Sequence, residues 1–320
     1  MAPSHPPAAG VRIRWRDVPA HVRAGVELRL GAGVSQARSQ RGGFSPGAAA
    51  RVRLTDGRRA FVKAAGAAPN PDSPAMHRRE GEVAAALPRA VPAPQLLGTY
   101  DDGDWVALIF EDVAGRQPRL PWRRAELDRV LDLLAGLART LTPSPLALAS
   151  VAERHGDEWS GFRDLAAARA GGDPLDDLDP WIARNLARLA ALEATWPLAA
   201  TGETLVHVDI RADNLLIAGE RTYVVDWPHA AVGAAWIDLL VMLPSVAMQG
   251  GPDPAGVFAA HPAARRADPA AVTAVLCALT GLFVAHGRLP DPPGLPTLRA
   301  FQTAQGTHAT RWLQKRTGWR

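Results

Sequence analysis

The stretch Leu205–Asp238, LVHVDIRADNLLIAGERTYVVDWPHAAVGAAWID, constrains the fold more than any other part of the chain. Two short apolar runs, Leu215–Ala218 and Thr222–Val225, flank a turn centred on Gly219, which predicts a hairpin. Pairing them sets Asn214 and Asp226 side by side at the outer ends. These are hard oxygen donors of the kind Mg²⁺ takes when phosphate oxygens complete its shell. Asp209 lies one loop away, free to orient a hydroxyl. Such a layout suits phosphoryl transfer, where catalysis is mostly positioning and charge neutralisation.

With 320 residues, 47% of them apolar, the chain can bury a full core as one large domain or two lobes. A net charge of +4 invites a nucleic-acid partner, but only two residues are lysine, Lys63 and Lys315, and the arginines are dispersed. That pattern reads as a compositional bias, not a binding patch, so no nucleic-acid partner is expected. The single cysteine, Cys277, excludes an internal disulfide framework and fits a cytoplasmic location. Residues 1–18 begin MAPSHPPAAG, without an apolar signal core, and are expected to be a disordered tail. The most apolar segment, Ala270–Ala285, suits a buried helix better than a membrane span.

Residues 19–112 alternate between helix and strand signals. Val22, Val26 and Leu30 predict a helix over Pro19–Leu30, and the runs Ala50–Leu54 and Ala60–Lys63 flank the hairpin signal Asp56-Gly57. The small-residue loop Gly42–Gly47 precedes them, and its glycines let backbone N–H groups approach phosphate oxygens. Pro69–Pro74 reads as a flexible link, Ala75–Leu87 as a helix carrying Glu80, and Gln95–Tyr100 with Trp105–Phe110 as a second hairpin. Together they predict a five-stranded α+β lobe with one main helix. Residues 113–320 carry helical periodicity, beginning with the stripe Leu127, Val130, Leu131, Leu134, Leu137, Ala138 and Leu141. Further helices are expected over Glu158–Ala170, Asp179–Trp196, Ala235–Met248, Pro269–His286 and Leu295–Arg316.

Lys63 is expected to end its strand beneath the glycine loop, where it can reach phosphates while Glu80 holds it. A chain that uses arginine almost everywhere places one of its two lysines here, and a compact ammonium is not interchangeable with a guanidinium. Likewise, one of only three asparagines falls five residues after Asp209. His207 and Asp238 are expected to be structural, steadying the loop that carries Asp209. Asp213 reads as a turn residue.

These motifs resemble the aminoglycoside phosphotransferase family, which has a bilobal protein-kinase-like fold and also includes choline-, homoserine- and fructosamine-kinase-type members. The resemblance rests on GGFSPG at Gly42–Gly47, FVK at Lys63, RREGEVAAAL with Glu80, ALIFEDVAG, HVDIRADNLL and VVDW, in that order over roughly 20–300. It implies that Asp209 is the catalytic carboxylate and that Asn214 and Asp226 bind Mg²⁺. It further implies that Lys63 with Glu80 and the loop residues Gly43, Ser45 and Gly47 hold ATP, or alternatively GTP. Glu111 and Val113 would offer backbone groups to the base. Val208 stands where the family commonly has glycine, and Arg211 where it often has histidine; a cation there can steady the phosphoryl group.

Asp226 and Asp238 lie too close in sequence for a peptide-docking activation segment, which favours a small-molecule hydroxyl acceptor. The acidic cluster Asp173, Asp176, Asp177 and Asp179 fits either a cationic acceptor such as an aminoglycoside or ordinary turns and caps. Tryptophans 122, 159, 181, 196 and 236 fit either a pocket wall or core. An antibiotic phosphotransferase, a metabolite kinase and a catalytically weak nucleotide-binding regulator, each as monomer or homodimer, stay open at this level.

Overall fold

The computed structural model describes residues 5–40, 42–68 and 70–320. The first lobe is a five-stranded antiparallel sheet built from β1 (Val34–Ser39), β2 (Ala48–Leu54), β3 (Arg59–Gly66), β4 (Leu96–Asp101) and β5 (Trp105–Glu111), in the order β1-β2-β3-β5-β4. Gly57, with a φ of 89°, makes the tight β2–β3 turn that a side chain would strain. Alternation along β5 divides the lobe's core in two. Ala107 and Ile109 pack with Val22, Val26 and Leu30 of α1 (Ala20–Leu30), whereas Val106, Leu108 and Phe110 pack towards Ala84 of α2 (Ser73–Ala86).

Three expectations change here. Lys63 does not end its strand: β3 continues to Gly66, and Lys63 pairs with Ala49 on one side and Leu108 on the other. The flexible link expected at Pro69–Pro74 is shorter, because α2 already begins at Ser73 with Pro74 in its first turn; Pro69 itself lies outside the described residues. The start of the chain also departs from a disordered tail. Residues 1–4 lie outside the described residues, but Trp15 and Val18 are buried in the lobe's core. Upstream, Gly10 N–H donates to Gly43 O and Ile13 N–H to Gly47 O. Composition misleads because two apolar anchors and a few backbone bonds are enough to order a Pro/Ala-rich segment.

The second part is mainly helical. The apolar stripe forms α3 (Arg124–Thr140), burying Leu127, Val130, Leu134 and Leu137, each contributing about 1.5–3 kcal/mol by burial. Beyond it come α4 (Val151–His155), α5 (Gly161–Ala170), α6 (Pro180–Glu193) and α7 (Trp196–Ala199). Glu158 therefore sits before α5 and not within it. Four short strands follow, β6 (Thr204–Val206), β7 (Leu215–Ala218), β8 (Arg221–Val224) and β9 (Ala231–Gly233), with β6 pairing β9 and β7 pairing β8. The chain finishes with α8 (Ile237–Met248), α9 (Pro254–Ala260), α10 (Pro269–Gly287) and α11 (Leu298–Thr317).

Helix α10 is long and apolar enough to cross a membrane by length and composition alone. Here Val272, Val275, Leu276 and Leu279 are instead buried in the core of the helical part. Its approach to α5 is very close: a Cβ on Gly161 would lie 2.0 Å from Gly281 O, so only glycine fits that crossing.

Candidate active site

The β7–β8 hairpin pairs Leu215 with Val224, and Val225 N–H donates to Asn214 O at 3.0 Å. The two hairpin ends thus bring Asn214 and Asp226 together. Asn214 Nδ2 donates to Asp209 O at 2.8 Å and to Asp209 Oδ2 at 3.0 Å, so its amide oxygen is the end left for another partner. Asp226 adopts a φ of 71°, a left-handed conformation that aspartate tolerates better than most residues.

Lys63 reaches these groups from the sheet. Its Nζ donates to Glu80 Oε1 at 2.6 Å and to Asp226 Oδ1 at 2.5 Å, joining the two lobes through one ammonium. Burial opposes the lysine's charge, but Asp226 and Glu80 outweigh it and hold the ammonium above the ordinary lysine range. Burial likewise opposes the Asp226 carboxylate, and Lys63 still keeps it well below the ordinary range. Glu80 moves the other way: burial raises it, and Lys63 only partly compensates.

The loop bearing Asp209 is suspended from below. Asp238, near the start of α8, accepts the N–H groups of His207 at 3.0 Å and Val208 at 2.8 Å. This double acceptance clamps Val208 at a φ of 68°, an uncomfortable conformation for a β-branched residue. The fully buried His207 accepts Asp209 N–H at Nδ1, so its Nε2 carries the proton that bonds Val225 O at 3.0 Å. Burial keeps this imidazole neutral by lowering its pKa. His207 and Asp238 thus hold positions beneath the loop, and Asp209 projects above it.

Arg211 lies otherwise than the motif suggests. Its guanidinium bonds Asp209 and both oxygens of Asp213, and sits 5.3 Å from the Phe44 ring and 5.8 Å from the Phe301 ring. Two carboxylates pair with its guanidinium, so Arg211 is held against Asp209 and Asp213. Asp213 is correspondingly more than a turn residue. Burial raises the Asp209 pKa, while Arg211 and then His229 pull it down.

Two cavities meet at this point. One, of about 440 Å³, lies between the lobes and is lined by Gly43, Ser45, Lys63, Glu111, Val113, Asn214 and Asp226. Gly47 is absent from that wall: it packs on β3, where a Cβ would lie 2.4 Å from Ala64 O. Of the hinge groups, the Val113 carbonyl already accepts Gly115 N–H at 2.7 Å and Arg51 Nη2 at 2.9 Å. The Val113 N–H has no hydrogen-bond partner among the described residues. The second cavity, of about 520 Å³, lies on the other side of Asp209 and is walled by α10, α11 and the segment before α5. Ser45, Glu80 and Asp226 border both cavities.

The family model for the phosphotransferase enzyme family matches residues 42–275, which include Lys63, Glu80, Asp209, Asn214, Asp226 and Asp238. The chain belongs to that family. No curated protein matches its sequence. Among solved structures it resembles a thermostable mutant of the aminoglycoside phosphotransferase APH(4)-Ia, crystallised with ADP and hygromycin B. Identity is 15%, covering 92% of this chain and 98% of that one, with a TM-score of 0.59. It also resembles a choline/ethanolamine kinase family protein from Mesorhizobium loti, at 16% identity over 92% and 94% of the chains and a TM-score of 0.57. The amicoumacin kinase hAmiN, solved with AMP-PNP, Ca²⁺ and Ami, is 11% identical over 91% and 96%, with a TM-score of 0.55. At such identities the likeness concerns the fold: this member of the family shares the protein-kinase-like architecture of all three.

The family's member here also brings to these cavities residues that its motifs do not announce. His229 and Glu158 border the second cavity, and Arg12 borders the first. Nothing local to MAPSHPPAAGVR marks Arg12, because its place depends on how the segment folds back. The acidic cluster takes its structural option: Asp173 accepts Leu175 N–H, Asp177 pairs with Arg288, and Asp179 caps α6. Of the five tryptophans, only Trp159 borders the second cavity.

Proposed function

We propose that the protein transfers the γ-phosphate of ATP to a hydroxyl of a small molecule. The observation that carries this reading is the junction of the two cavities, with Asp209 facing the second while Asn214, Asp226 and Lys63 border the first or its rim. A nucleotide lies in the cleft under the glycine loop, and the acceptor enters from the α10–α11 side. Asp209 aligns the incoming hydroxyl and takes its proton as the bond to phosphorus forms.

The oxygen-only pair Asn214 and Asp226 fits Mg²⁺, which prefers a few protein oxygens alongside phosphate and water. When bound, Mg²⁺ supplies charge neutralisation for the phosphates. Lys63 already links Asp226 to Glu80, so it is held ready to meet phosphate oxygens.

The acceptor cavity supports a refinement. Beyond the catalytic groups, its carboxylates are Asp72 and Glu158, set against Arg154 and Arg299, and much of its wall is apolar, including Leu279, Phe283 and Leu298. Outside the catalytic groups, a polycationic aminoglycoside would find no excess of negative charge there. A neutral or zwitterionic alcohol with an apolar face fits better, whether an antibiotic or a metabolite.

ADP release measured over a panel of aminoglycosides, macrolides, nucleoside antibiotics, choline and amino sugars tests this. Acceptor-dependent ADP release that vanishes in Asp209→Asn is expected. Failure of the wild-type protein to consume ATP with any hydroxyl compound would refute the reading.

A further inference from the structure

Residues 7–13 run alongside the glycine loop and tie it to the helical lobe. Gly10 N–H donates to Gly43 O at 2.8 Å, Gly47 N–H to Val11 O at 3.1 Å, and Ile13 N–H to Gly47 O at 3.1 Å. From the other side, Val11 N–H donates to Gly294 O at 2.8 Å, and Thr297 Oγ1 donates to Pro7 O at 2.8 Å. Trp15 and Val18, buried in the sheet lobe, fix the end of this strap.

The strap carries Arg12 into the inter-lobe cavity. Its Nη2 donates to Gly42 O at 2.6 Å and its Nη1 to Ser45 O, so the guanidinium lies across the mouth of the glycine loop. The Nε–H is buried with no partner among the described residues. Asp226 and Asp213 are the acids whose field it feels, yet neither is within ion-pair distance.

The other cations bordering that cavity are differently placed. Lys63 is shared by Glu80 and Asp226, Arg51 pairs with Asp112, and Arg116 pairs with Glu126. Arg38 lies on the exposed edge strand β1. Arg12 is the half-buried cation at the loop whose charge no carboxylate contacts, and two carbonyl bonds already orient it. A pre-oriented guanidinium with spare N–H groups is suited to binding phosphate oxygens.

We propose that Arg12, delivered by the N-terminal strap, is a phosphate-binding residue that engages the β- and γ-phosphates of the nucleotide opposite Lys63. This rests on the phosphotransferase reading and adds a residue to its nucleotide site. Strap and glycine loop form one unit, so the loop's hold on phosphate depends on a segment from outside the sheet.

The test is calorimetric binding of AMP, ADP and AMP-PNP with Mg²⁺ to wild type, Arg12→Gln and Arg12→Lys, with melting curves verifying the fold. Gln keeps an N–H donor for the loop carbonyls but loses the charge; Lys keeps the charge. Arg12→Gln is expected to weaken ADP and AMP-PNP at least tenfold, leave AMP within about twofold, and be substantially rescued in Arg12→Lys. An equal loss for AMP would identify a loop staple and overturn the proposal, as would unchanged ADP affinity or a Lys variant no better than Gln. Wild-type protein that binds none of the three would overturn the phosphotransferase reading, and the role of Arg12 with it.

Discussion

Lys63 Nζ lies 2.5 Å from Asp226 Oδ1, a contact that spans 163 residues of sequence and joins the sheet lobe to the end of the β7–β8 hairpin. The same ammonium holds Glu80 at 2.6 Å, so the buried charges in the cleft form one interdependent set. Removing Asp226 therefore removes both the proposed metal oxygen and a partner of Lys63. Asp226→Ala is expected to abolish the Mg²⁺-dependent part of nucleotide affinity and lower turnover about 10³-fold or more. Calorimetry with and without Mg²⁺ checks this, and an undiminished Mg²⁺ effect would contradict the metal assignment.

Asp209 bonds Asn214 and Arg211 and borders the second cavity. Asp209→Asn should keep the nucleotide Kd within about threefold while lowering kcat about 10²–10⁴-fold, the range typical of a general base. Parallel calorimetry and steady-state kinetics separate the two effects. A kcat near wild type would remove Asp209 from the chemistry.

Asp238 supports the loop without bordering either cavity. Asp238→Ala strands the His207 and Val208 N–H groups in the interior, at a cost of about 1–3 kcal/mol each. It also frees Val208 from its left-handed conformation. Denaturant unfolding should register the loss, and kcat should fall with the geometry of Asp209. A fully stable Asp238→Ala would show that the loop hangs from other contacts.

Glu193 has no exposed surface, and accepts Phe162 N–H at 2.9 Å and Arg163 N–H at 2.8 Å at the start of α5. Burial pushes its carboxyl up to about 7. Because the folded value exceeds the unfolded one, this group's stabilising contribution is complete at acid pH and is lost as pH rises through about 7. Relative to Glu193→Gln, wild type should lose about 1–3 kcal/mol between pH 5 and pH 8. Unfolding both proteins in denaturant at the two pH values measures the difference; a gain with rising pH would reverse the argument.

Much of the site was legible because its groups are local. Asp209, Asn214 and Asp226 share one loop and one hairpin, and a two-residue period with a turn between suffices to juxtapose them. Lys63 stood out through the rarity of lysine, although the strand end assigned to it was wrong, because the apolar run continues as Ala64-Ala65-Gly66. The partners of Arg211 were not legible, because pattern reveals which side chains are near in sequence, not which carboxylates claim them. The start of the chain was misjudged because a Pro/Ala-rich composition says nothing about anchors that bind through backbone N–H and C=O groups.

By itself the sequence determined the two lobes, the hairpin between Asn214 and Asp226 and the order of the family's motifs. All three follow from short-range periodicity and turn chemistry, which act within a few residues. Tertiary structure alone decided that Lys63 would bridge Glu80 and Asp226, that Arg211 would be neutralised by Asp209 and Asp213, and that Arg12 would lie across the glycine loop. It also decided the charge balance of the second cavity, whose walls come from α2, α10, α11 and the segments around Glu158 and His229. Electrostatic partners are set by distance in space, and those distances exist only once helices far apart in the chain have packed.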